Sequence, residues 1–343
     1  MISSIELILL NFKNHPTGRA FVMFSFVIPC YNEEAILHMF HKEITTILQE
    51  NNLAYELIFV NDGSKDRTLE ILKEICKHDS RAHYVSFSRN FGKESAMLAG
   101  LNFSSGEAVM IMDADLQHPP HLIPEMIQFY RDGYDQVIAK RSRKGERGIR
   151  TLFAKLYYRL MNGMIDVMLT DGVGDFRLLS RRAVNALLSL QEYNRFSKGL
   201  FAWIGFKEHV IEYENVVRDY GTSKWTFGKL LNYAIDGLIS FNNKPLRLAI
   251  YMGLFVTITD IFYILYTFIQ ILLHGVVVPG YFTIISSVGF LGGIQLISIG
   301  VIGEYIGRIY YESKRRPHYI IDEKQVKPQT ERDTAEKSLL LNK

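Results

Sequence analysis

The chain contains few cysteines, little net charge and no basic, aromatic-rich stretch typical of nucleic-acid binding. Only two of its 343 residues are cysteine, which argues against a disulfide framework. The formal net charge of +3 is small for this length, so we predict no nucleic-acid partner. The N-terminal apolar run has no basic residue before it and no small-residue cleavage site after it, unlike a signal peptide. We therefore interpret residues 1–23 as an N-terminal extension.

Apolar residues are concentrated toward the C-terminus. Residues 246–273 are almost wholly apolar and aromatic apart from Arg247 and Asp260, and residues 281–303 contain no charge. Each segment exceeds the roughly 20 residues that a helix needs to cross a bilayer. Residues 246–310 are therefore predicted to form a two-helix transmembrane hairpin. Asp260 is costly at mid-membrane and should face a polar partner or cavity.

Basic residues flank this hairpin on both sides. Lys244 and Arg247 lie at its start and Lys-Arg-Arg at residues 314–316 follows it, whereas the linker contains no Lys or Arg. Because basic flanks stay in the cytoplasm, the chain is predicted to be an integral protein of the cytoplasmic membrane, with its N-terminal domain and C-terminus inside. Residues 311–343 are predicted to form a cytoplasmic tail, disordered because of its polar composition.

Strand-like and helical segments alternate before the hairpin. The strand-like segments are residues 24–29, 55–60, 83–87, 108–112 and 136–139. The helical segments are residues 33–50, 66–77, 93–101 and 121–131. This alternation predicts an α/β domain with a largely parallel sheet. In such sheets ligands bind beyond the carboxyl ends of the strands, so the residues that follow each strand are the candidates for chemistry.

Polar motifs follow four of the predicted strands. They are PCYNEE at residues 29–34, NDGSKDRT at 61–68, SRNFGKES at 88–95 and DADLQHPP at 113–120. Asp113 and Asp115 can both face one hard cation, and Mg²⁺ or Mn²⁺ there would bridge diphosphate oxygens and offset the charge on a departing nucleoside diphosphate. Taken singly, each motif is equally compatible with an ordinary turn.

Together, and with GDFRLLSR at residues 174–181, these motifs resemble the inverting glycosyltransferases of family 2 with the GT-A fold. With the hydrophobic hairpin, the chain is similar to the polyprenyl phosphate glycosyltransferases, a group that includes bactoprenol glucosyltransferases and dolichol phosphate mannose synthases. The resemblance implies an α/β GT-A (Rossmann-like) catalytic domain at residues 24–225. Amphipathic interfacial helices, including residues 226–245, and then the transmembrane hairpin would follow it.

The resemblance also implies roles for individual residues. The nucleotide-sugar would be bound by Pro29, Tyr31, Glu33, Asp62, Arg89, Gly92, Lys93 and Asp113. Mg²⁺ or Mn²⁺ would be held by Asp113 and Asp115. The catalytic residues would be Asp115, Gln117, Asp175 and Arg177, and the acceptor phosphate would be met by Arg177, Arg195, Arg218 and Lys224. Asp175 need not be a strong base, because a phosphate monoester is already largely dianionic near neutral pH.

Two further patterns concern the membrane. Residues 140–159 contain eight Lys and Arg residues against one Glu and lead into an apolar stripe, which favours an interfacial helix on anionic lipid over a basic face on an ordinary core helix. Glycines at positions 289, 293, 300 and 307 allow close helix packing within the hairpin or a homo-oligomer.

The predicted function is inverting transfer of a single sugar from a nucleotide-sugar to undecaprenyl phosphate, for cell-envelope glycosylation. UDP-glucose is the first candidate donor and UDP-N-acetylglucosamine the second. The alternatives are a GDP-mannose-dependent polyprenyl phosphate mannosyltransferase, a processive polysaccharide synthase and a non-catalytic membrane scaffold. A processive synthase would carry Gln-x-x-Arg-Trp and more membrane helices, whereas residues 191–196 here are QEYNRF. The intact Asp113, Asp115, Asp175 and Arg177 argue against a scaffold.

Overall fold

The computed structural model describes residues 22–142, 173–214, 244–274 and 280–326. Several predicted features lie outside these residues. They are the N-terminal extension, most of the basic segment at residues 140–159, Arg218, Lys224 and most of the amphipathic segment at residues 226–245.

The described residues form one mixed sheet of eight strands. The strands are β1 (Met23–Cys30), β2 (Ala54–Asn61), β3 (Ala82–Phe87), β4 (Ala108–Ile111), β5 (Gln136–Arg141), β6 (Val173–Ser180), β7 (Glu208–Tyr213) and β8 (Ile321–Lys324). Their order across the sheet is β7-β5-β6-β4-β1-β2-β3-β8. β4, β1, β2 and β3 are parallel neighbours, whereas β6 is antiparallel to both β4 and β5. The α/β prediction is confirmed, but the sheet is mixed because β6 and β8 enter it antiparallel.

Helices cover both faces of the sheet. On one face lie α1 (Leu37–Glu50), α2 (Thr68–His78) and α4 (Ile123–Arg131). On the other lie α3 (Lys93–Phe103), α5 (Arg181–Ser189) and α6 (Ser197–Trp203). Within β1, Phe26 packs into the first layer and Val27 into the second. Burial on both faces explains why the central strands read as nearly continuous apolar runs.

Two long helices, α7 (Lys244–His274) and α8 (Tyr281–Lys314), follow the first seven strands of the α/β domain. Each contains a segment long and apolar enough to cross a membrane, at Tyr251–His274 and Phe290–Lys314. Large apolar side chains such as Phe255 and Leu296, 71% and 72% exposed, are available to lipid. The helical hairpin agrees with the prediction, but α8 continues to Lys314, beyond the uncharged segment 281–303 and the predicted hairpin end at residue 310. Asp260 lies within α7.

The prediction of a disordered tail is wrong for its first part. After α8 ends, the chain returns to the α/β domain and β8 pairs antiparallel with β3, with Ser86 opposite Glu323. Tyr319 stacks on Phe87 with ring centroids 4.9 Å apart, and Val326 is buried. We call residues 315–326 the C-terminal strap. Pairing along the edge of β3 orders this segment despite its polar composition.

Candidate active site

The motifs that follow β1 and β2 are bound to each other. The Asn32 N–H donates to Ser64 Oγ at 3.0 Å, and the Lys65 N–H donates to Asn32 Oδ1 at 2.9 Å. The Glu33 N–H donates to Thr68 Oγ1 at 2.9 Å. The two turns therefore form one rigid wall at the carboxyl end of the sheet. This wall carries three of the predicted nucleotide-binding residues, Pro29, Tyr31 and Glu33.

Asp62, at the end of β2, binds backbone rather than facing solvent. It is 3% exposed, and its carboxylate accepts the N–H groups of Phe91 at 2.7 Å and Gly92 at 3.0 Å. Burial raises the pKa of Asp62, and these backbone bonds oppose the rise. Asp62 therefore holds the loop before α3 in place. A direct contact with the base or ribose stays a prediction.

Gly63 lies against the same loop in a left-handed conformation, with φ of 61°. A Cβ there would lie 2.2 Å from the Arg89 carbonyl carbon and 2.5 Å from the Asn90 nitrogen. In Gly63→Ala the positive φ costs about 1 kcal/mol, and the overlap adds about 1–3 kcal/mol. We expect the free energy of unfolding to fall by the sum in denaturant titration, together with weaker nucleotide-sugar binding.

Gly133→Ala is the matched control for this prediction. Gly133 also has a positive φ, 89°, but a Cβ there would have no neighbour within 4 Å. The control should show only the backbone cost. Equal loss of unfolding free energy in the two variants would mean that the loop moves away from the new Cβ at no cost, which would contradict the tight contact at Gly63.

Lys93, the first residue of α3, joins two carboxylates from different parts of the sheet. Its Nζ lies 2.7 Å from Asp113 Oδ1 and 2.7 Å from Asp175 Oδ2. Burial alone would lower the pKa of Lys93, but Asp175 and Asp113 outweigh it and raise the pKa. For Asp175, burial is likewise outweighed by Lys93 and Lys198, which hold its pKa below the usual range. We call Lys93, Asp113 and Asp175 the charged centre.

The turn after β4 shapes the predicted metal-binding carboxylates. Leu116 has φ of 56°, and the Gln117 N–H donates to Asp115 Oδ1 at 3.1 Å. The Asp113 N–H donates to Nδ1 of the buried His118 at 2.9 Å, so the His118 proton lies on Nε2. The ring of His118 stacks on Phe176, with centroids 4.8 Å apart. Burial lowers the pKa of His118 and favours this neutral form.

These carboxylates fit a divalent cation that also binds a substrate. The described residues contain no group of three or more His, Cys, Asp or Glu side chains arranged to enclose a metal. Mg²⁺ is commonly bound by one or two carboxylates, with phosphate oxygens and water as the other ligands. Asp113 and Asp115 would supply the carboxylates, so their role as metal ligands stays a prediction.

Arg177 lies in the interior next to the charged centre. It is 2% exposed, its Nη2 donates to the Gly174 carbonyl at 2.9 Å, and its guanidinium lies 3.6 Å from the ring centroid of Phe201. Burial lowers its pKa to about 10, against the opposing effect of Asp175. This position favours a role in fixing β6 and Asp175 electrostatically. Direct contact with an acceptor phosphate stays a prediction.

Two residues of the site have no counterpart in the sequence-based predictions. Glu94, in the first turn of α3, accepts the Ser197 N–H at 3.2 Å and the Ser197 hydroxyl. Burial, with a smaller effect from Asp175, raises the pKa of Glu94 to about 7. Glu94 thereby joins α3 to the start of α6. The second residue is His118. Glu94 lies within the motif SRNFGKES and His118 within DADLQHPP, and these positions are the sequence signal that could have identified them.

The chain is similar to known proteins over most of its length. Residues 25–188 match the family model for glycosyl transferase family 2, and residues 244–309 match the GtrB C-terminal hairpin. The chain is 56% identical over 301 residues to the putative glycosyltransferase CsbB of Bacillus subtilis (strain 168), covering 88% of this chain and 92% of that protein. It is 43% identical over 298 residues to the SfII prophage-derived bactoprenol glucosyl transferase of Shigella flexneri, covering 87% and 96%.

A solved structure is similar at a lower level. Glucosyl-3-phosphoglycerate synthase from Mycobacterium tuberculosis, in complex with Mn²⁺, UDP-glucose and phosphoglyceric acid, aligns with a TM-score of 0.43 at 20% identity, over 66% of this chain and 85% of that one.

The mixed sheet, the carboxylates after β4 and these relatives define the class of protein, a glycosyltransferase with the GT-A fold. The chain belongs to glycosyl transferase family 2. Its C-terminal hairpin makes it a membrane-associated member.

Proposed function

We propose that this glycosyltransferase moves one sugar from a nucleotide-sugar to polyprenyl phosphate, with inversion at the anomeric carbon. The observation that carries the proposal is the short connection between the membrane hairpin and the sheet of the α/β domain. Residues 315–320 alone connect the end of α8 to β8, so the sheet that carries the charged centre is tied directly to a helix long and apolar enough to cross a membrane. An enzyme with two soluble substrates would gain nothing from this connection.

The relatives support the choice of lipid and sugar. The bactoprenol glucosyl transferase of Shigella flexneri carries both in its name, and its similarity extends through the hairpin. We therefore propose undecaprenyl phosphate as the acceptor and UDP-glucose as the first candidate donor, with UDP-N-acetylglucosamine second. The product is a single sugar on a lipid phosphate, used for cell-envelope glycosylation.

The residues of the site suit this reaction. Asp113 and Asp115 would hold Mg²⁺ or Mn²⁺, which offsets charge on the departing diphosphate when bound, and Gln117 would approach the leaving side of the donor. Lys93 fixes Asp113 beside Asp175 through contacts of 2.7 Å. The acceptor phosphate is already a nucleophile near neutral pH, so Asp175 positions it rather than removing a proton. The guanidinium of Arg195, with Arg218 and Lys224, would offset the repulsion between donor and acceptor phosphates.

A donor and acceptor screen tests this proposal. Purified full-length enzyme with undecaprenyl phosphate is offered labelled UDP-glucose, UDP-N-acetylglucosamine or GDP-mannose. We expect one sugar per lipid, with UDP-glucose the fastest donor by at least about tenfold, which corresponds to about 1.4 kcal/mol of discrimination. Transfer to soluble sugars without any gain from lipid phosphate would contradict the acceptor, and chains of several sugars would indicate a processive synthase.

The orientation in the membrane follows from the charges around the hairpin. Basic residues lie at the start of α7 and at the end of α8, and no Lys or Arg lies between the helices, so we propose that the catalytic domain and C-terminus are cytoplasmic. Reporters fused after Lys343 and inserted beside Val277 should report opposite sides of the membrane. A C-terminal reporter active only outside the cytoplasm would reverse this placement.

A further inference from the structure

A polar cleft of about 420 Å³ lies beside the charged centre, on the other side of the start of α3. Three separate parts of the chain form its walls. They are the segment from Arg89 to Ser95, the segment from Tyr193 to Arg195, and His318 of the C-terminal strap. Lys93 reaches away toward Asp113 and Asp175, whereas its neighbours Gly92 and Glu94 line the cleft. The cleft is therefore distinct from the predicted metal-binding carboxylates.

Two guanidinium groups line this cleft. Arg89 lies over the ring of Phe91, 4.1 Å from its centroid, and donates to the Asn90 carbonyl at 3.1 Å. Arg195 donates to the carbonyls of Leu190 at 2.6 Å and Leu187 at 3.3 Å. These bonds fix both side chains in place and use one or two of the five N–H donors of each group. Asn90, Asn194 and Ser95 add further polar side chains to the walls.

The balance of charge in the cleft is positive. Its acidic lining residue, Glu94, already accepts two hydrogen bonds from Ser197, and burial raises its pKa to about 7. Burial and the nearby Arg195 both lower the pKa of His318, with Glu312 and Glu192 acting in the opposite direction. An anion between these groups would relieve the repulsion between Arg195 and a protonated His318.

We propose that this cleft binds a phosphate monoester group. Two guanidiniums suit the oxygens of a phosphate, which accept paired N–H bonds, and the volume is in the range of small-ligand sites. The phosphate belongs either to a polyprenyl phosphate lipid or to a soluble molecule. The lipid source rests on the proposed function, whereas phosphate binding itself does not.

The end of the membrane hairpin supports one wall of this cleft through Tyr193. The Tyr193 N–H donates to Glu312 Oε1 near the end of α8 at 2.7 Å. The ring of Tyr193 lies 5.7 Å from that of Tyr311 and 5.9 Å from that of His318, both stacked. The wall is complete only when the C-terminal strap is docked. A phosphate in the cleft should therefore stabilise docking of the strap, since a ligand stabilises the state that binds it.

Binding of inorganic phosphate to the full-length protein tests the proposal. The protein is placed in phosphatidylcholine nanodiscs with EDTA, which keeps the carboxylate site free of metal, and titrated calorimetrically. We expect Arg89→Gln and His318→Gln each to weaken phosphate binding at least about fivefold. The control Arg67→Gln, an exposed arginine paired with Glu70 on α2, should bind as the wild type does. Melting temperatures without phosphate verify that each variant is folded.

A competition experiment then separates the two sources. Displacement of inorganic phosphate by undecaprenyl phosphate in the nanodisc, reduced in both cleft variants, assigns the cleft to the lipid. Displacement by UDP or a sugar phosphate, but not by the lipid, assigns it to a soluble ligand. Phosphate binding that is absent in the wild type, or equal in wild type and both cleft variants, would overturn the proposal. Because no transfer is measured, this result is independent of the proposed reaction.

Discussion

Asp115→Asn is expected to lower kcat/KM for sugar transfer by about 10²–10³-fold or more, the range found when one group that stabilises leaving-group charge is removed. The change keeps the shape of the side chain and removes its charge, so the divalent cation loses one of two carboxylate ligands. The Gln117 N–H still has an oxygen acceptor at position 115, which should preserve the turn held by the 3.1 Å bond. Initial rates over a range of Mn²⁺ concentrations measure the effect.

Asp132→Asn is the matched control. Asp132 is exposed after α4, outside the polar motifs that follow the strands, and accepts a bond from Gln128 at 3.0 Å. It should retain full activity and metal dependence. Near-normal activity of Asp115→Asn, or of the wild type in EDTA, would contradict the assignment of the cation to Asp113 and Asp115.

Lys93→Met is expected to have a comparable effect for a different reason. Removal of the ammonium leaves Asp113 and Asp175 without the cation that holds each at 2.7 Å, so the two carboxylates repel each other and their spacing changes. We expect a loss of roughly 10²–10³-fold in kcat, since misplacement by about 1 Å has effects of this size. Lys93→Arg keeps the charge and should recover part of the rate.

Lys77→Met, at an exposed position on α2, controls for loss of a lysine as such. Steady-state kinetics at saturating metal would separate kcat from KM. A variant in which only the KM for the nucleotide-sugar rises would mean that Lys93 binds the donor and does not organise the carboxylates. Equal activity of Lys93→Met and Lys77→Met would remove Lys93 from the site altogether.

The part of the fold that the sequence predicts well is the run from β1 to β5. These strands are short and apolar, and their ends are marked by polar motifs, so the predicted and observed boundaries differ by only one or two residues. The same motifs place Asp113 and Lys93 beyond the carboxyl ends of the strands. Local patterns suffice here because the strands are apolar on both faces and a helix that packs on the sheet follows each of β1 to β4 before the next strand.

The remaining strands depend on contacts that no local pattern shows. β8 reads IDEK, and its position is set by β3, more than two hundred residues earlier in the chain. Arg177 interrupts the apolar pattern of β6, and its guanidinium packs on Phe201, which lies on α6. The ring of His118 accepts a hydrogen bond from the backbone N–H of Asp113. A sequence motif alone does not distinguish this role of a histidine from that of a metal ligand.

The position of β8 has a consequence for biosynthesis. During translation the ribosome completes β1 to β7 before either hydrophobic helix, yet the strand that covers the edge of β3 emerges after both. Until then β3 presents unpaired backbone groups to the cytosol, and such edges can recruit strands from other chains. A nascent chain delayed at membrane insertion would therefore carry an open sheet. We therefore expect insertion of the hairpin to precede the pairing of β8 with β3. A chain truncated before residue 321 should reach the bilayer but self-associate through the uncovered edge of β3.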